Sequence, residues 1–456
     1  MGALIDVANF DCIIIGSGPI GTVAAIRLAE AGRNVLILEA GHAVTQPPGS
    51  HLRNRPKLQA APDSFFPNID PYINPVQGAA KSLLVGLSDS AAVGGQGILW
   101  TNNCPRAAPF ERWNALTAAE WAHYYQAAEK LLRVDPDPTP QSTTAALIQA
   151  ELADDVAIQP LPFAGRYLED GSIHYHAPHD MLLAAGSDVR SHITIRSGVR
   201  VERLVMNEAR VQHLEIVANG QHSTVTGDNI IVAGGAIATP QLLVRSGLAS
   251  PALGRAFSFH MLLMGQIVLD ERLAAAEDAA AQEAADQPPR LYIPPTDARP
   301  WHIQVLRDTF PAPTTERVDN PNRLLEFQAF LPIEYRVENQ LRFAADGSVS
   351  AEFGYSDHDK AQMSAMEAHV QQLASRLGHW RAGGEPVWLP AGSVHLVGTC
   401  RMDRPNMRGV ANSLGNVHGV DNLYLAGVGL IPTTVVVNPT LTAAAVALKL
   451  CDHMSL

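Results

Sequence analysis

The 456-residue sequence is poor in the features that mark several large protein classes. Its four cysteines (Cys12, Cys104, Cys400 and Cys451) are scattered and form no Cys-x-x-Cys pair, which argues against a disulfide framework and suits a reducing cytosol. No stretch approaches the roughly 20 apolar residues of a membrane-spanning helix. The N-terminal region lacks a basic start followed by a long apolar run. Phe10–Ile15 is short and interrupted by Asp11, so a soluble, cytoplasmic protein is expected. Basic residues are also in deficit, 33 against 45 acidic, for a net charge of -12. That balance argues against a nucleic-acid or anionic-membrane partner, both of which need a basic face. Histidines at metal-ligand spacing are missing too. His174, His176 and His179 come nearest and read as a surface loop cluster, so no metal is expected.

What is present points to an enzyme of two domains, since a chain of this length exceeds one simple core. Phe10–Ile15 is a short apolar run ending in glycine, as in a strand buried on both faces of a parallel sheet. Pro19–Ala31 reads as a helix stopped by Gly32, and Asn34–Glu39 as the next strand. Between the first strand and the helix lies Gly16-Ser-Gly18-Pro-Ile-Gly21. In this pattern Gly16 permits the tight turn, Gly18 lets a diphosphate approach the backbone, and Gly21 lets helix and sheet pack closely. The helix N-terminus adds unpaired N–H groups and a positive dipole end. Glu39, ending the second strand, can accept from ribose hydroxyls and repels a 2′-phosphate. A bound dinucleotide, NAD or FAD, follows from strand, glycine turn, helix and acid together.

Other glycine-rich stretches lie far off: Val93–Gly97 with Gly94 and Gly95, Ala233–Ala236, and Leu425–Gly429 with Gly427. Several backbone approaches to one long ligand suit an extended, buried FAD better than a reversibly bound nicotinamide. Phe110–Val134 reads as an amphipathic helix burying Trp113, Leu116, Trp121, Tyr124 and Leu131. Asn219-Gly220 and Gly227-Asp228 read as turns between strands. Leu324–Ile333 and Leu341–Gly354 read as strands of a second sheet. Ala274–Gln287, nearly all Ala, Glu, Asp and Gln, reads as a solvated helix in preference to a mobile excursion or a lid over the substrate. Trp301, His302, Gln304 and Arg307 mix aromatic and hydrogen-bonding groups of the type that line a sugar site.

Gly235-Ala-Ile-Ala-Thr-Pro-Gln-Leu-Leu-Val-Arg-Ser-Gly247 resembles the second signature of the glucose–methanol–choline (GMC) oxidoreductases, and Asn438-Pro-Thr-Leu-Thr442 resembles that family's closing segment. Val93–Thr101 and His395-Leu-Val-Gly-Thr399 look closest to pyranose oxidases and bacterial C-glycoside 3-oxidases. The resemblance covers the blocks at about 10–45, 91–106, 192–247 and 395–450, and little of the intervening chain. It implies hydride transfer from a sugar carbinol to FAD. His395 would take the hydroxyl proton and Asn438 would be its partner. The chemistry is sound on its own terms: an alcohol gives up hydride readily only as it loses its proton, and imidazole is suited to accept it. The Asn438 amide can donate to the developing alkoxide without competing for that proton. The resemblance also places Thr101, Val201, Ala233 and Thr440 against the cofactor. Covalent pyranose oxidases carry a flavin-bonded histidine in the segment matching Gly97–Thr101; this sequence has Leu99, which implies non-covalent FAD.

The expected architecture is α/β (α+β overall). A Rossmann-like FAD-binding domain is built from discontinuous segments (1–110, 185–255 and 395–456), and a substrate domain with a mixed or antiparallel sheet comes from 111–184 and 256–394. The expected reaction is oxidation of a secondary hydroxyl, at carbon 3 or carbon 2, of a pyranose or glycoside, with oxygen reduced to hydrogen peroxide. A dehydrogenase using a quinone-like acceptor is the nearest alternative. A flavin reductase or monooxygenase would need a second nicotinamide fingerprint, and none follows Gly21. A non-catalytic flavin protein would have no use for the His395/Asn438 pair.

Overall fold

The computed structural model describes residues 10–60, 74–75, 88–139, 142–169, 171–273, 287–308, 314–344, 348–389, 395–404 and 407–455. The expected βαβ unit is there. Cys12–Ile15 pairs in parallel with Val35–Glu39, and the helix between them spans Pro19–Glu30. Ile13, Ile14, Leu36 and Ile37 are fully buried, as required of strands covered on both faces. Among the described residues the sheet has five strands in the order Leu423–Leu425, Asn229–Val232, Cys12–Ile15, Val35–Glu39 and Ile193–Ser197, so three remote segments join the βαβ pair. Gly21 explains the close helix–strand packing: a Cβ there would sit 2.1 Å from the Gly16 carbonyl oxygen.

An antiparallel three-stranded ribbon (Val199–Asn207, Arg210–Ala218, Gln221–Val225) precedes the strand Asn229–Val232. Its second turn is Asn219-Gly220 with φ of 51° and 74°, the left-handed pair that a two-residue hairpin demands.

The second layer is an antiparallel sheet of seven strands among the described residues. Its centre is His260–Leu269, Leu324–Pro332, His302–Leu306 and Arg290–Ile293. Alternation divides the faces. Met261, Leu263, Ile303, Val305, Phe327 and Ala329 join a core cluster with the helix Asp357–Leu377. The opposite face carries His260, Gln266, His302, Gln304, Glu326 and Gln328, all buried. A buried row of polar side chains on a sheet is costly unless each finds a partner, so this face is where chemistry is to be sought.

Three expectations need correction. The segment Phe110–Val134 is not one helix. Pro109–Glu111 is a single 3-10 turn, and the helix proper, Ala118–Leu132, starts at a Thr117/Glu120 capping box. Its buried stripe is therefore Trp121, Tyr125, Ala128 and Leu132, not Tyr124 and Leu131. This helix lies in segment 111–184 yet packs in the core of the parallel sheet, against the C-terminal helix Thr440–Ser455. Leu341–Gly354 does not join the large sheet. The chain reverses inside it, leaving a separate hairpin of Gln340–Phe343 and Val349–Glu352. Ala274–Ala285 and Asp286 of the expected solvated helix lie outside the described residues.

Candidate active site

A cavity of about 660 Å³ runs from the glycine turn of the parallel sheet to the polar face of the antiparallel one. Gly16, Gly18, Glu39, Gly95, Thr101 and Val201 line it, with Ala233, Gly427 and Thr440. Its far end carries His260, Leu262, Gln328, Phe330, His395 and Asn438. Both halves of the expected pair thus face one space, although they come from the two sides of the segment 396–437.

Near the turn, Glu39 is buried and accepts from the Ser17 amide (3.0 Å), the Ser17 hydroxyl (2.7 Å) and the Gly41 amide (2.9 Å). These contacts pin the carboxylate at the end of its strand. Gly94 and Gly21, expected to hold cofactor, do not line the cavity. Gly94 (φ 96°) donates its amide to Ser17 Oγ at 2.9 Å, and a Cβ there would strike Ile98. Both glycines let neighbouring backbone come close; Gly95, by contrast, lies against Gly18 on the cavity wall.

At the far end, Nε2 of His260 meets Nδ1 of His395 in a short hydrogen bond, with ring centroids 4.4 Å apart. Phe330 sits against His260 and stacks on His302 at 4.5 Å. Burial pushes His395 down to about 4 and His302 down to about 3. His260 is pushed well below the usual imidazole value by burial, then by His395 and His302. All three rings are therefore neutral at pH 7. Nδ1 of His260 has no hydrogen-bond partner among the described residues, and main-chain groups of Val435 and Val436 oppose the downward shift of the ring. In the tautomer with its proton on Nδ1, His260 Nε2 is an acceptor. His395 then donates through Nδ1, and its Nε2 carries the lone pair.

Asn438 is buried, and its Oδ1 accepts from Gln304 Nε2 at 2.8 Å. Gln304 also reaches His302 Nε2 at 3.1 Å. Glu111 holds the approach to Asn438, its carboxylate accepting from the Val436 amide at 2.5 Å.

Residues 179–262 and 344–447 match two family models, both described as GMC oxidoreductase, and residues 14–49 match a NAD(P)-binding Rossmann-like domain. The chain belongs to the GMC oxidoreductase family. The C-glycoside 3-oxidase of Microbacterium trichothecenolyticum is 26% identical over 98% of this chain and 97% of its own length. The pyranose 2-oxidase of Emericella nidulans is 25% identical, over 97% and 92%. A solved structure of Aspergillus oryzae formate oxidase superposes with a TM-score of 0.72 at 16% identity, covering 98% of both chains, which shows the shared fold.

This GMC oxidoreductase is an FAD-dependent enzyme acting on CH–OH donors. Its residues fit the cofactor. The cavity has the size and apolar walls of a cofactor site. Gly16 and Gly18 keep side chains off its phosphate end, and Glu39 lines it where a ribose is expected. The first helix offers its N-terminus there, with Pro19 at the start and no side-chain cap on Gly18.

Of the sugar-site guess, His302 and Gln304 stand directly behind Asn438, whereas Trp301 packs on the other face near His369 and Arg307 binds the Leu324 carbonyl. His176 is buried rather than in a surface cluster; its Nδ1 lies 3.0 Å from the Arg133 carbonyl, while His174 pairs with Asp180. Among the described residues no group of His, Cys, Asp and Glu could hold a metal. Sequence reasoning missed His260, Phe330 and Gln328. Their signal was the polar half of an alternating strand in a buried sheet, visible in His260-x-x-x-x-x-Gln266 and Glu326-x-Gln328.

Proposed function

We propose that the chain oxidises a secondary hydroxyl of a pyranose glycoside, at carbon 3 or carbon 2, to the ketone, passing the electrons to oxygen. The observation that carries this reading is the convergence of His395 and Asn438 on the cavity whose other end is the dinucleotide turn. Relatives named C-glycoside 3-oxidase and pyranose 2-oxidase support a sugar over a simple alcohol. A buried face bearing Gln328 beside Leu262 and Phe330 supports it too, pairing hydrogen-bonding groups with an apolar surface.

When bound, FAD supplies the hydride acceptor. His395 Nε2 takes the hydroxyl proton, because its Nδ1 is engaged by His260. Asn438 presents Nδ2 to the carbinol oxygen, because its Oδ1 is engaged by Gln304. Leu99 lines the cavity at the position that supports non-covalent attachment. The division into a dinucleotide side (1–110, 185–255, 395–456) and a substrate side (111–184, 256–394) belongs to this reading, with the helix Ala118–Leu132 counted with the former. So does a cytoplasmic location; no helix among the described residues is long and apolar enough to cross a membrane.

Anaerobic bleaching of the bound flavin against monosaccharides, O-glycosides and C-glycosides tests the substrate class. Bleaching by NADH and by none of the sugars refutes it. His395→Ala is expected to keep FAD and lose reduction by substrate; unchanged reduction removes His395 as the base. Acid precipitation leaving yellow flavin in the pellet refutes non-covalent attachment.

A further inference from the structure

A carboxamide has two ends of opposite character, and only one of them helps an alkoxide form. The contacts behind Asn438 determine which end faces the cavity. Arg290 is 1% exposed, lies 4.1 Å over the Phe163 ring and is a donor in every state accessible to a protein. It donates to Asn103 Oδ1 at 2.7 Å. The Asn103 amide must then turn its Nδ2 away from Arg290, and that group donates to Gln304 Oε1 at 2.8 Å. Gln304 in turn has only Nε2 to offer Asn438, whose Oδ1 accepts it at 2.8 Å. The second N–H of that amide reaches His302 Nε2 at 3.1 Å, so the same step sets the tautomer of a buried imidazole.

We propose that Arg290, acting through Asn103 and Gln304, is the positioning device that makes Asn438 present its N–H end to the cavity. The inference rests on the reading of Asn438 as the donor to the carbinol oxygen. Its logic is that of a one-way chain. Each of the two intermediate carboxamides could be turned over at little steric cost, but not while an obligate donor occupies one end. Sheet register makes the chain possible. Arg290, His302 and Gln304 project on one face of adjacent strands, with Tyr292 opposite Gln304 and Arg290 opposite Leu306. Asn103 comes from the other domain to bridge them.

The test uses the holoenzyme and the rate of anaerobic flavin reduction by methyl β-D-glucopyranoside and by D-glucose. Gln304→Met removes the donor to Asn438 without adding charge, and is expected to slow reduction about tenfold. Asn103→Asp forms a pair with Arg290 and places a second acceptor against Gln304, turning Gln304 and then Asn438 over; about 100-fold slowing is expected, the order seen when one alkoxide-facing donor is lost. In an Asn438→Ala background both changes should add less than about twofold, because the group they orient is gone. Acetate titrated into oxidised holoenzyme and followed by flavin absorbance reads the same donor without turnover. It should bind about tenfold more weakly to Gln304→Met and to Asn438→Ala, and no more weakly to the double variant. Equal slowing by Gln304→Met with and without Asn438, or wild-type acetate binding in Gln304→Met, overturns the relay. Full-rate reduction in Asn438→Ala alone refutes instead the role given to Asn438.

Discussion

Replacing His260 isolates the contact that prepares the base. On the tautomer that leaves His395 Nε2 free of a proton, the buried His260 accepts the Nδ1 proton of His395 through its Nε2. His260→Leu keeps the apolar bulk against Phe330 but removes the acceptor. The neutral His395 must then bury an unpartnered N–H or move its proton to Nε2, the nitrogen that is to accept from substrate. Leaving a buried donor unpaired costs about 1–3 kcal/mol. At about 1.4 kcal/mol per tenfold, flavin reduction should slow roughly 5- to 150-fold. His260→Gln, whose Oε1 can accept the same proton, should recover most of that loss. Anaerobic stopped-flow spectroscopy of both variants, with flavin content checked beforehand, makes the measurement. A His260→Leu enzyme that is reduced at the wild-type rate refutes the tautomer argument.

Other consequences follow from the same burial. As the proposed base, His395 must be neutral to act, and burial pushes it down to about 4, so reduction should stay level from pH 8 to pH 5 and fall only as pH drops through about 4; a rate already halved near pH 6.5 contradicts this. His395 and His302 are held below their unfolded value near 6.5, so the unfolded chain binds more protons than the folded one between 6.5 and 4 or 3. Their contribution to stability is complete above pH 6.5 and is lost as pH falls, by up to about 1.4 kcal/mol per pH unit for each ring, which denaturant titrations at pH 7.5 and pH 5 can read. Gly21→Ala sets a methyl 2.1 Å from the Gly16 carbonyl and should purify with little flavin; full FAD occupancy shows that the turn can yield.

Local features of this chain could be read directly from its residues because their physics is local. The glycine turn between Ile15 and Pro19 needs φ of 109° at Gly16, which few residues but glycine supply. Asn219-Gly220 closes a hairpin for the same reason. The boundary of the helix Ala118–Leu132 was harder, since Pro109 and Ala118 both begin helical turns and in both an acidic residue, Glu111 or Glu120, accepts from the amide three positions before it; only Thr117 adds a side-chain acceptor of its own. Taking the two turns as one helix puts Tyr124 in the buried stripe in place of Tyr125.

The sequence by itself determined the dinucleotide turn, the family and the two residues that face the substrate end of the cavity. Only the tertiary structure decided how those two are aimed. His260, Gln304, Asn103 and Arg290 carry no motif and lie far from His395 and Asn438 along the chain. They become partners through cross-strand register and the docking of Asn103 onto the sheet. What the fold adds is direction, because the meaning of an imidazole or a carboxamide depends on which neighbour holds its other end.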